Sequence, residues 1–155
     1  MHSLDFSHRW PTEEATFRLR ELLRGNSFRV MPSGREGFVV EDLDLVLRWY
    51  GPNFGLDEYG RLRLVEVKRW DFGFDNAQLW TFGPLAAELA DWDRFDGLHL
   101  VQYSDSDHDA DTRYRIGVGS CRTELSADEF LDWCLQPYSE IPPVDVGKWA
   151  FRGVA

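Results

Sequence analysis

Two apolar runs, residues 38–50 and 61–70, flank the ten-residue segment 51–60, and this arrangement constrains the fold more than any other feature of the chain. The first run is rich in Val, Leu and aromatic residues. The second alternates Arg with Leu and then continues as Leu64, Val65, Glu66, Val67 and Lys68. Period-two alternation with β-favouring residues marks strands, and the Gly, Pro, Asn and Asp between them mark a turn. The simplest assembly is a long antiparallel hairpin.

The remaining elements follow from local signals. Residues 12–25 read as a helix, with Thr12 as N-cap, Glu13 and Glu14 in the first turn, Ala15, Leu19, Leu22 and Leu23 on one face, and Gly25 as the stop. Residues 27–31 read as a short strand, followed by a loop through Pro32, Ser33, Gly34 and Gly37. Segments 75–82 and 85–92 read as helices separated by a break at Gly83 and Pro84. Residues 98–103 and 114–118 are two further expected strands. Ser126 with Glu129 three residues later forms a capping box for a helix that Pro137 ends. Residues 137–155 are expected to be a C-terminal tail held by Trp149 and Phe151. The order α, three strands, α, two strands, α predicts a single mixed α/β (α+β) domain over 1–155.

Composition limits the function classes. The chain has 155 residues, 43% hydrophobic and 15% aromatic, enough for one buried core and too apolar for disorder. No segment approaches the roughly 18 apolar residues of a membrane span, so a soluble cytoplasmic protein without a membrane partner is expected. Cys121 and Cys134 are too few for a disulfide framework and lack zinc-ribbon spacing. Net charge is −10, but residues 73–112 carry one Arg against nine acids while residues 1–72 are nearly balanced. The first half is therefore free to present a basic face to an anion.

Residues two apart on a strand share a face, so Glu66 and Lys68 project together. Asp42 and Asp44 likewise share a face on the preceding strand, and the hairpin can bring one of them beside Glu66. Burying two carboxylates and an ammonium is costly unless they pair or bind a cation. Carboxylates with water suit Mg²⁺, which neutralises phosphate and acidifies a water, and a neighbouring Lys can orient that water or stabilise the phosphorane. Phosphodiester hydrolysis is the chemistry that fits.

With Asp44, the apolar run Leu45, Val46, Leu47, a hairpin loop, and then Glu66, Val67 and Lys68, the chain resembles the PD-(D/E)xK nuclease superfamily, which has a restriction-endonuclease-like fold. The resemblance extends from about Thr12 to Tyr103. It implies a central mixed sheet flanked by helices, Asp44 and Glu66 as Mg²⁺ ligands joined by the Val67 carbonyl, and Lys68 serving the attacking water. Mn²⁺ is the implied substitute metal. It further implies a Glu on the first helix near the metal, with Glu14 the best match and Glu21 second, and a Gln on the helix after the Lys strand, matched by Gln78. DNA is the implied partner, with RNA as a variant, and a homodimer is an arrangement in which both strands of a duplex can be cut. The sequence lacks a Pro before the Asp, offers Asp42 as a rival, and lacks the four cysteines of the iron-sulfur branch.

Blander readings stand beside these. Glu66 and Lys68 can form an exposed cross-strand pair, although Leu62 and Leu64 on the same face argue for burial. Glu14 can pair with Arg18, and Gln78 can be a helix-surface residue. Asp105, Asp107, Asp109 and Asp111 resemble the start of a calcium loop. Ala110 stands where Gly is needed and Ile116 where the bidentate Glu is needed, so a solvated hairpin tip is expected. His2, His8, His99 and His108 show no zinc spacing. Trp70, Phe72 and Phe74 are expected in the core, with base stacking as the alternative. Two functions follow: a Mg²⁺-dependent nuclease acting through Asp44, Glu66 and Lys68, or a non-catalytic nucleic-acid- or protein-binding module of the same fold.

Overall fold

The structure is a computed structural model and describes residues 18, 21, 22, 43–70, 72, 76–118 and 122–147. The chain divides into two compact units, Met1–Asp42 and Leu43–Ala155. In the first, Arg18, Glu21 and Leu22 are helical and exposed, in keeping with a helix over 12–25. Leu22, assigned by its spacing to the apolar face, is 62% exposed. An exposed leucine is ordinary, because polar residues are too few to cover a protein surface. The expected strand 27–31, together with Glu14, Asp42, Phe74, Cys121, Trp149 and Phe151, lies outside the described residues.

The second unit is built on a five-stranded sheet in the spatial order β1-β2-β3-β4-β5. Its strands are β1 (Leu45–Trp49), β2 (Arg61–Arg69), β3 (Phe95–Tyr103), β4 (Tyr114–Ile116) and β5 (Thr123–Leu125). β1 and β2 are antiparallel, β2 and β3 parallel, and the last two pairs antiparallel. A parallel pair needs a crossover, and helix α1 (Asn76–Leu89) supplies it. Helix α2 (Ala127–Leu135) follows β5. The α/β class expected from the sequence is thus met.

The expected antiparallel hairpin joins β1 and β2, with Leu45 opposite Val65 and Trp49 opposite Arg61, although residues 43 and 44, expected inside the first strand, lie outside it. A short 3-10 turn, Pro52–Phe54, carries the chain around. Gly60 has φ +74°, and a Cβ there would lie 1.9 Å from the Trp49 carbonyl oxygen, so only glycine fits as the strand re-enters the ladder. The side chain of Arg94 clasps Asp57 in the same turn, with Nη2 to Oδ2 at 2.5 Å.

Alternation along β2 divides the core. Leu64 packs with Phe82, Ala86, Phe95 and Leu98 beneath α1, whereas Val65 packs with Val101, Tyr114, Ile116 and Trp133 beneath α2. α2 starts as expected: Ser126 Oγ accepts from the Glu129 N–H and Glu129 Oε1 accepts from the Ser126 N–H.

Three expectations are corrected. The two helices expected around Gly83 and Pro84 are one helix, because Phe82, Gly83 and Ala86 are buried beside the sheet while Pro84 follows exposed Trp80 by one turn on the outer face. The hydrogen bond that Pro84 removes is therefore on the side where water can replace it. β3 begins at Phe95, three residues before the expected start, because Asp96 is neutralised by Arg61 and Arg63 rather than ending the strand. Gly97 takes φ +99° at the register shift, where a Cβ would meet Pro143 at 2.5 Å. β5 is an additional strand whose three residues are too short a run to show periodicity.

The tail packs through residues 139–146. The Val144 N–H donates to the Leu98 carbonyl at 2.8 Å, and Val144 and Val146 cover the core beneath α1. The loop 104–113 is a mostly exposed hairpin connection held by its own hydrogen bonds, among them Asp107 N–H and Thr112 Oγ1 to Asp105 Oδ1. No helix among the described residues is long and apolar enough to cross a membrane.

Candidate active site

The β1–β2 ladder ends at Leu45 and Val65, and one further step of the same register sets Asp44 opposite Glu66. Asp44 lies just outside the strand, at a bend, beyond the last pair of the ladder. Asp44 Oδ2 accepts the Val67 N–H at 2.8 Å. In an extended strand a residue's N–H and C=O leave on the same edge, so the Val67 carbonyl faces the end of β1 as well. Asp44 is exposed and Glu66 is 2% exposed, so the pair spans the boundary between solvent and core.

Glu66 is held from two directions. Lys68, its neighbour on the same face, brings Nζ to 3.2 Å from Glu66 Oε1 and remains one-quarter exposed. From α1, Gln78 Nε2 donates to the same oxygen at 2.6 Å. Glu66 Oε2 is buried and has no hydrogen-bond partner among the described residues. Burial, and next the negative charge of Asp44, push the Glu66 carboxyl above its ordinary range, while Lys68 and Gln78 pull it back.

Among the residues expected at a site, the structure therefore brings together Asp44, Glu66, Val67, Lys68 and Gln78. Gln78 is 5% exposed and faces Glu66, so it is no surface residue. Its spacing to Phe82 and Ala86, four and eight residues on, puts it on the helix face that packs on the sheet. Glu21 is exposed on the helix of the other unit.

The donor set fits a divalent cation. Mg²⁺ is commonly held by one or two carboxylates and completes its shell with water. Asp44, Glu66 and the Val67 carbonyl are the oxygens that could hold it, and Glu66 Oε2 is a buried acceptor that no described residue engages. Among the described residues, no group of three or more His, Cys, Asp or Glu side chains gathers to hold a metal ion, so this edge depends on its two carboxylates.

Two neighbouring features escaped the sequence reading. Gln102 on β3 pairs directly with Lys68; its Nε2 donates to the Phe72 carbonyl and its Oε1 is buried without a partner among the described residues. Arg115 on β4 pairs with Gln102 and lies over the Trp70 ring, 3.3 Å from its centroid. Counting by twos along 98–103 gives Leu98, Leu100 and Gln102, and the glutamine ending that apolar row was the available signal. Trp70 is half-buried, whereas Phe72, expected in the core, is 61% exposed. The Phe72 main chain is held by Gln102, so its ring need not be buried to fix the segment.

Away from this edge, Arg63 is wholly buried between Trp49 and Trp133, and its Nε donates to Asp96 Oδ2 at 2.7 Å. His99, also buried, donates from Nε2 to the Asp96 carbonyl and meets Trp133 edge-on. Its pKa is lowered to about 4, first by burial. This cluster fastens α2 and residue 139 to the sheet.

Comparison with protein-family models, with curated proteins and with solved structures gave no match. The architecture and the edge of carboxylates, lysine and glutamine are therefore the basis for a functional reading.

Proposed function

We propose that this chain is a Mg²⁺-dependent nuclease that hydrolyses phosphodiester bonds of DNA, and that its sheet is the core of a PD-(D/E)xK, restriction-endonuclease-like fold. The observation that carries the reading is the Glu66 carboxylate. One oxygen is fixed by Lys68 and Gln78 while the other is buried without a partner among the described residues, and the charge of Asp44 acts on the same carboxyl. A carboxylate serving only the fold would have both oxygens satisfied, since each unpaired buried acceptor costs on the order of 1–3 kcal/mol.

In this reading Asp44, Glu66 and the Val67 carbonyl hold the ion, which neutralises phosphate charge and acidifies a water when bound. Asp44 also anchors the edge through the Val67 N–H. Lys68 extends from the protected Glu66 to solvent, where its ammonium can orient the water or meet the charge that builds on phosphorus. Water's oxygen bonds to phosphorus and its proton passes to solvent, while the bond from phosphorus to the sugar oxygen breaks and that oxygen takes up a proton from solvent. Gln78 holds Glu66 in place and does not touch the substrate.

The test is incubation of the protein with single-stranded, duplex and junction DNA and with RNA, in Mg²⁺ and in EDTA. Cleavage of DNA in Mg²⁺ alone is expected, and cleavage of RNA only would move the substrate class. Binding without cutting in every metal condition would instead make the domain a non-catalytic binder.

A further inference from the structure

Arg115 stands apart among the described arginines. Arg61, Arg63 and Arg94, the others at least partly buried, each donate to protein oxygens. Arg115 is half-buried, has its Cζ 3.3 Å from the centroid of the Trp70 ring, and has no oxygen acceptor among the described residues. An indole face partly offsets the loss of hydration, but it leaves the planar fork of N–H donors unused. In a chain of net charge −10 with acids throughout its second half, an unclaimed guanidinium is not explained by scarcity of carboxylates.

Its position supplies an explanation. Lys68, Gln102 and Arg115 are direct partners across three adjacent strands, so they form one row on the α1 face of the sheet. Two strand spacings separate the backbones of Lys68 and Arg115 by about 10 Å. Contact with Trp70, two residues beyond Lys68, draws the guanidinium away from the Glu66 end. Gln102 between them is neutral, with its amide nitrogen committed to the Phe72 carbonyl, and Glu124, the partner of Arg115 on the β5 side, is engaged by Arg113, Nε to Oε1 at 3.6 Å.

We propose that Arg115, seated on Trp70, binds a backbone phosphate of the nucleic acid next to the one that reacts beside Lys68. The strand then crosses the sheet along the row from Lys68 to Arg115. This rests on the nuclease reading for the location of the reacting phosphate, but the anion subsite itself requires only binding. Arg is suited to it because its fork meets two phosphate oxygens at once, and stacking holds the fork ready.

The experiment measures binding of single-stranded and duplex oligonucleotides against salt, with Ca²⁺ in place of Mg²⁺, for the wild type, Arg115→Gln and Arg115→Lys. Melting curves check that each variant is folded. Arg115→Gln is expected to weaken binding about ten- to a hundredfold, as loss of a charged hydrogen-bonded contact does. Its log–log salt slope should shrink by about 0.9 for duplex or 0.7 for a single strand. Arg115→Lys should keep the slope and bind more weakly than the wild type. With Mg²⁺, Arg115→Gln should raise KM far more than it lowers kcat.

If the wild type cuts and Arg115→Gln matches it in affinity and slope, the subsite is overturned while the nuclease reading survives. If nothing is cut but binding depends on Arg115 as described, the subsite stands and the nuclease reading falls. A wild type that binds neither oligonucleotide overturns both. Should Arg115→Gln fail to fold, a folded Arg115→Lys that binds as tightly as the wild type overturns the subsite.

Discussion

The side-chain amide of Gln78 reaches from the crossover helix to donate to Glu66 Oε1 at 2.6 Å. One hydrogen bond thus ties the carboxylate on β2 to the helix that leads to β3, and it leaves Oε2 as the open oxygen. Residues that orient a metal-binding carboxylate typically contribute ten- to a hundredfold to metal affinity. Gln78→Ala should accordingly raise the Mg²⁺ concentration needed for half-maximal cleavage by about that factor, with a smaller loss of rate at saturating Mg²⁺. A titration of cleavage rate with Mg²⁺ checks it; an unchanged midpoint would remove Gln78 from the site.

Glu66 is a buried carboxyl whose pKa is raised by burial and by Asp44, so its charged form opposes folding at neutral pH. Glu66→Gln keeps the shape and removes that charge. It should abolish cleavage, yet melt at or above the wild-type temperature without metal. Mg²⁺ should stabilise only the wild type, by about 2.7 kcal/mol at a hundred times its Kd. Thermal melts with and without Mg²⁺ decide this, and an equal Mg²⁺ response in both proteins would count against Glu66 as a ligand.

Lys68 pairs with Glu66 but supplies no oxygen for a cation. Lys68→Ala should therefore lose cleavage by at least about a hundredfold, in the range of general acid–base or electrostatic roles, while the Mg²⁺-induced rise in melting temperature remains. Single-turnover cleavage and melting read the two properties separately.

Asp96 accepts from Arg61 and Arg63 and from the Ser139 N–H. Asp96→Ala leaves Arg63, wholly buried, without its counter-charge, and breaking a buried pair in this way costs about 3–5 kcal/mol. Urea unfolding should show that loss. A change below about 1 kcal/mol would mean that the carbonyls of Trp133 and Gln136 suffice for Arg63.

His99 has its pKa lowered to about 4, against 6.5 for the free side chain. The unfolded chain therefore binds a proton below pH 6.5 that the native state refuses, and stability falls as pH drops from 6.5 towards 4. The contribution is on the order of 3 kcal/mol over that window, and it is absent above it. His99→Gln should flatten the stability profile in that interval; an unaltered slope would assign the acid sensitivity to other groups.

The sequence by itself determined what depends on neighbours a few residues apart. Alternation made β1 and β2 strands, placed Glu66 with Lys68, and set Leu64 and Val65 on opposite faces, because side chains on a strand alternate whatever surrounds them. Ser126 and Glu129 fixed the start of α2 in the same local way. Long-range packing decided the rest. Asp44 meets Val67 only through the hairpin register, Gln78 reaches Glu66 only because α1 packs on the sheet through Phe82 and Ala86, and Asp96 lies inside β3 only because two arginines from β2 neutralise it. Each of these requires residues distant in sequence to bury apolar surface together before their polar groups can meet. Only tertiary structure therefore decided that Glu66 would be fixed at one oxygen and open at the other.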